Sequence, residues 1–206
     1  MFVCGGGRLL TSETIICRPD ITYGGSLRKD KKYLSAERLG AGFVIISSVI
    51  LHFIYDWSGG ETLAALFGAV NESVWEHMKI FTFPYVVWSF IELFTLRPVF
   101  KRFVAVKGLT LYFLLLSIPI FFYTYTALIG HNILVVDISS GFLLTIMTFY
   151  ISYRLLTDFP NIDRYYKLSL FLLILYYITF VFFTMSPPKI FLFKDPITGG
   201  YGIPEK

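Results

Sequence analysis

Five stretches of this sequence stay apolar for about the twenty residues that an α-helix needs to cross the hydrocarbon core of a bilayer. They run from about Leu39 to Trp57, Glu76 to Leu96, Val106 to Ile129, Ile133 to Leu156 and Lys167 to Met185. No other feature limits the fold as strongly. A chain inside lipid must pair its own backbone N–H and C=O groups, so each run is predicted to be a helix. The predicted fold is therefore all-α, a polytopic membrane bundle of five transmembrane helices. Composition agrees: of 206 residues, 55% are hydrophobic and only 16% charged, too little charge to cover the surface of a soluble domain. One further apolar piece, Leu63 to Val70, is too short to cross and is predicted as an interfacial or re-entrant helix. Pro84 and Pro119 fall inside the second and third runs and predict kinks rather than breaks.

The net charge of +4 raises the question of nucleic acid. The placement of the basic residues argues against that and for membrane topology. Arg28, Lys29, Lys31, Lys32 and Arg38 precede the first run. Arg97, Lys101, Arg102 and Lys107 follow the second, and Arg154, Arg164 and Lys167 follow the fourth. The connections after the first and third runs carry no lysine or arginine. This alternation predicts a cytoplasmic N-terminus and an extracytoplasmic C-terminus, with Lys189 and Lys194 the only mild dissent. Residues 1–37 are polar and glycine-containing and are expected to form a flexible cytoplasmic tail, with no apolar core of signal-peptide length. Residues 38–190 are expected to form the membrane domain, and 191–206 an extracytoplasmic tail. Cys4 and Cys17 lie in the N-terminal segment without metal-type spacing and read as free thiols. Membrane lipids are the expected surroundings. A homo-oligomer is an expected partner state if the chain transports, since five helices make a thin wall.

This topology collects polar residues at one level. His52, His77 and His131 all fall at the outer ends of helices or in an outer turn, as do Asp56, Glu61, Glu72, Glu76 and Asp137. The densest stretch is Asn71-Glu72-Ser73-Val74-Trp75-Glu76-His77. His52 and Asp56 are four residues apart and share a helix face, as do Glu72 and Glu76, and Ser73 and His77, where the chain is helical. Imidazole and carboxylate in this pattern point to a divalent transition metal, with Zn favoured. His52, Glu72, His77 and His131 are the candidate ligands. Glu76 and Asp137 are the candidate catalytic carboxylates, with Asp56 as an orienting group or base. Each has a structural alternative. Ser73-Val74-Trp75-Glu76 is also an S-x-x-E capping box, and Glu72 suits a helix N-terminus. Asp137, a turn inside the fourth run, needs a partner or a function. Glu92, deep in the second run, is expected to pair with Arg97 or Lys101. The polar layer thus supports three readings: a metal centre hydrolysing a lipid-like substrate, a transport path lined by Asp137 and Glu92, or a non-catalytic scaffold.

The segments His52-Phe53-Ile54-Tyr55-Asp56-Trp57-Ser58-Gly59 and Val70-Asn71-Glu72-Ser73-Val74-Trp75-Glu76-His77-Met78-Lys79, with the late Asp195-Pro196-Ile197-Thr198-Gly199-Gly200-Tyr201-Gly202, resemble a family of small polytopic membrane proteins of bacteria and archaea. That family is a domain of unknown function. The resemblance covers about Leu39 to the end and implies a prokaryotic plasma-membrane protein, but imports no activity. A more distant similarity is to the alkaline-ceramidase-like membrane hydrolases, which use histidines, an aspartate and a serine near one membrane face. This chain shares those residue types, with five spans rather than seven and no H-x-x-x-H pair.

Overall fold

The computed structural model describes residues 21–203. Cys4 and Cys17, with the expected tail up to residue 20, lie outside the described residues. Six α-helices follow in order: α1 Ile21–Trp57, α2 Thr62–Phe67, α3 Val74–Leu96, α4 Phe100–Ile129, α5 Leu134–Asp158 and α6 Tyr166–Met185. A 3-10 turn at Ile162–Tyr165 leads into α6, and another spans Phe191–Phe193. Five of these helices are long and apolar enough to cross a membrane, while α2 has only six residues. The helix α1 is longer than its apolar run. It extends back from Leu39 to Ile21, through part of the segment expected as a tail.

Helix α4 is the spine of the bundle. It packs against α3, α5 and α6, and α1 closes the far side against α3 and α5. Small residues let these helices approach. A Cβ on Gly108 would sit 2.7 Å from Ser169 Cβ of α6, and Ser169 Oγ donates to the Ala105 carbonyl at 2.9 Å. Gly141 of α5 likewise accepts the Phe81 ring of α3. This is the packing used where lipid removes the hydrophobic drive between helices and close backbone contact replaces it. The largest core cluster joins Tyr85, Leu111, Leu114, Phe149 and Tyr176 from α3 to α6. Conversely, Leu116, Ile120, Leu143, Phe171 and Ile178 are exposed on the outside of the bundle, as lipid-facing side chains must be.

Both Pro84 and Pro119 lie within unbroken helices. Arg97, in the left-handed region at φ 47°, ends α3 just before Pro98, and Gly130 at φ 90° ends α4. Arg102 closes the end of α5, donating to the carbonyls of Leu156 at 2.9 Å and of Leu155 and Pro160 at 3.4 Å. The chain therefore runs up and down five times. The end of α1, the start of α3 and the α4–α5 turn lie at one end of the bundle, and the basic connections lie at the other.

Candidate functional site

The site is built where α1 ends. Gly59 and Gly60, at φ 72° and 82°, turn the chain out of the helix, and Ser58 Oγ donates to the Tyr55 carbonyl at 2.7 Å. The chain then returns through α2 to lie on α1 again. Gly68 makes this return possible: a Cβ there would sit 2.3 Å from Ile54 Cγ2 and 2.8 Å from the Leu51 carbonyl oxygen. The next residue, Ala69, donates its N–H to the Leu51 carbonyl at 3.0 Å. The loop 69–73 is thereby pinned beside His52.

Asn71 shapes the loop. Its Oδ1 accepts the Ser73 N–H at 2.9 Å, an Asx turn, and its Nδ2 donates to the Gly202 carbonyl at 2.9 Å. Ser73 then starts α3, its Oγ accepting the Glu76 N–H at 3.4 Å. The reciprocal half of the capping box is absent, because Glu76 Oε2 accepts from Val70 N–H at 3.1 Å. Glu76 is also bound to Lys79 Nζ at 2.6 Å, and Lys79 Nζ donates to the Ala65 carbonyl at 2.8 Å. Both side chains are buried.

This scaffold brings three side chains together: His52 from α1, Glu72 from the loop and His77 from the first turn of α3. One ligand-type atom from each lies within 4.8 Å of the others. His77 Nε2 is 3.5 Å from Glu72 Oε2, His52 Nε2 is 3.9 Å from Glu72 Oε1, and the imidazole centroids are 5.5 Å apart. Two ligands at about 2.1 Å from a tetrahedral ion stand roughly 3.4 Å apart, so the His77–Glu72 spacing needs almost no adjustment. His77 Nδ1 is 2.9 Å from the Ser73 carbonyl, an acceptor, so Nδ1 carries the proton of the neutral ring. Nε2 then presents a lone pair toward Glu72. The three side chains are half-buried, open enough for an ion or a substrate to reach them.

Glu72 is held from behind. Its backbone N–H lies close enough to the Asp195 carboxylate to favour that group's charge, and the carboxylate accepts from Ile197 N–H at 3.0 Å and Thr198 Oγ1 at 2.6 Å. Burial by itself would raise the Asp195 carboxyl. The hydrogen bonds from Thr198 and Ile197 and the nearby Glu72 N–H outweigh it and hold the group below the ordinary aspartate range. The late glycine-rich segment is thus folded under the site. Phe193 packs on Trp75 and Phe183, and Ile203 packs against the cluster of Tyr55, Ala65 and Val70.

The other expected site residues lie elsewhere. His131 is exposed in the α4–α5 turn and does not join the three-residue group. Asp137 is bonded to the Tyr125 hydroxyl and receives Asn132 Nδ2 at 3.3 Å, an arrangement that ties α4 to α5. Asp56 is exposed one turn beyond His52 and Glu61 is exposed before α2, neither within the group. Glu76 has its carboxylate taken up by Lys79 and Val70. The pairing expected for Glu92 is corrected. Arg97 and Lys101 are exposed, and Glu92 instead meets Lys107 at 2.5 Å, because Lys107 lies two turns inside α4 and faces the bundle interior. Glu37, assigned to the tail by its neighbours' polarity, is buried against the same lysine. The sequence signal for it was available: Glu37, Glu92 and Lys107 are charges at the same end of three helices.

No curated protein and no solved structure matches this chain. A profile described as a family of unknown function, DUF6512, matches residues 26–203, and the chain belongs to that family.

Proposed function

We propose that this protein binds a divalent transition metal, Zn favoured, through His52, Glu72 and His77, and that the centre hydrolyses a lipid-like substrate at the membrane boundary. The observation that carries the metal is the convergence of two imidazoles and a carboxylate from three separate elements. His₂Glu sets of this kind leave a fourth position open, where zinc activates water near neutral pH. The chain's own contributions are orientation and exclusion. The Ser73 carbonyl fixes the His77 tautomer, the Asp195 carboxylate fixes the Glu72 backbone, and Ala69 fixes the loop on α1. Asp56, exposed one turn beyond His52, is the carboxylate left free to act as base.

The lipid-like substrate is argued from the approach to the site. Phe53 stacks on His52 at 4.9 Å and Trp57 stacks on Phe53 at 5.8 Å. Trp57 and Phe53 are 70% and 44% exposed, a row of aromatic rings leading from the bundle's outer surface to the histidines. An acyl chain fits such a row better than a polar solute does.

The test is metal content of the full-length protein purified into nanodiscs. About one zinc per chain is expected, falling at least tenfold in His52→Ala, Glu72→Ala and His77→Ala while helicity and thermal transition are retained. Wild-type protein that neither retains nor takes up zinc, manganese or iron overturns the reading. In that case Glu72 is only a clasp between two histidines, and the three substitutions change stability alone. Hydrolysis of a fluorogenic lipid ester, lost in the same variants and on chelation, tests the second half of the proposal.

A further inference from the structure

A second polar group lies far from the histidines, toward the basic end of the bundle. Lys107 of α4 sits between two carboxylates. Its Nζ is 2.9 Å from both Glu37 oxygens of α1 and 2.5 Å from Glu92 Oε2 of α3. Ser152 of α5 donates to Glu37 Oε1 at 2.8 Å. Four helices therefore contribute one side chain each. All three ionisable side chains are at most 4% exposed.

The charges do not balance. Two carboxylates and one ammonium leave one uncompensated negative charge in a water-poor interior, where an unpaired charge costs several kcal/mol. Among the described residues the surrounding elements offer no further cation. Helix α3 faces the group with Tyr85 as well as Glu92, α5 with Ser152 and Phe149, and α4 with Phe103 and Thr110. Helix α6 approaches through Tyr177, across a cavity of about 80 Å³ that Lys107, Tyr85 and Ser89 also line.

The two carboxylates differ. Glu37 accepts Lys107 on both oxygens and Ser152 on one. Glu92 is 2% exposed and its Oε2 lies 2.5 Å from Lys107 Nζ, but neither of its carboxylate oxygens has a well-directed hydrogen bond among the described residues. We propose that Glu37, Lys107 and Glu92 form a binding site for one exchangeable proton, held by the Glu37–Glu92 carboxylate pair, that makes the group neutral. Binding converts one of the two carboxylates to a carboxylic acid, the proton coming from solvent and returning to it. The site is independent of the metal centre.

The experiment is infrared spectroscopy of the full chain in nanodiscs, titrated with pH in H₂O and D₂O. Wild type is expected to show the carbonyl stretch of about one protonated carboxylic acid per chain at neutral pH, shifted in D₂O and lost at alkaline pH. Glu92→Gln leaves a neutral Glu37–Lys107 pair, so it should fold and lose the band. Glu37→Gln leaves the Glu92–Lys107 pair neutral in the same way and should lose the band too, so survival in either variant overturns the proposal. Lys107→Met should raise the band to about two acids per chain. A wild type without the band also overturns it. Sodium-dependent thermal stability in a protein without the band would assign the balancing charge to a bound cation instead.

Discussion

Two buried or half-buried carboxylates at the histidine end have opposite jobs, and single substitutions separate them. Glu76 is a structural member of the Val70–Glu76–Lys79–Ala65 network. Lys79→Met strands that carboxylate and is expected to cost about 3–5 kcal/mol. Adding Glu76→Gln removes the stranded charge and should recover most of the loss, a comparison made by thermal unfolding in detergent. Asp195 acts through Glu72. Asp195→Asn keeps the size but weakens the pull on the Glu72 N–H, and is expected to lower zinc affinity by about tenfold with little change in the unfolding midpoint. The pH sign follows from its depressed folded value. Its contribution is complete above the ordinary aspartate value near 3.9 and disappears as pH falls through the lower, folded value. Zinc affinity at neutral pH that Asp195→Asn leaves unchanged would contradict this role.

At this scale the sequence was informative about height and silent about direction. His52, Glu72 and His77 could be placed at one end of the bundle from helix lengths alone. So could His131, which the α4–α5 turn carries away from the group. A run of apolar residues sets how far along the axis a side chain lies, but not which neighbour its helix turns toward. Glu37 shows the complementary limit. Its neighbours are polar, so local composition assigned it to a tail, whereas its partner Lys107 is 70 residues away.

Among elements, α4 carries the tightest constraint. Ser169 of α6 lies against Gly108, so any side chain there must push the two helices apart. Gly108→Leu is expected to destabilise the bundle by about 1–3 kcal/mol or more, measured by unfolding in mixed micelles. Gly42→Leu is the control, since nothing lies near its Cβ position. The existence and order of the five long helices, and of the short α2 between the first two, were legible from the apolar runs. The true start of α1 was not, because the residues before Leu39 lack the apolar signal while remaining compatible with a helix.

For the whole molecule, the described residues hold five helices long and apolar enough to cross a membrane, an odd number. The basic connections predict that the histidine end faces away from the cytoplasm. Single cysteines at Glu61 and Lys101, introduced after Cys4 and Cys17 are replaced by serine, should separate in intact cells. A membrane-impermeant maleimide is expected to label Glu61→Cys and to leave Lys101→Cys unlabelled until lysis. The reverse pattern would invert the expected orientation.

The clasp between Asn71 and Gly202 joins residues 131 positions apart. Glu72 is therefore translated long before the residues that hold it in place. During synthesis the first helices can insert and pack while the histidine end stays unfinished, and the site matures only when the last loop has been delivered to the same side. Until then the proposed metal site lacks the loop that holds Glu72. Chains ending before Asp195 should accumulate in the membrane with normal helicity but bind zinc poorly, so that maturation of the site reports completion of the chain.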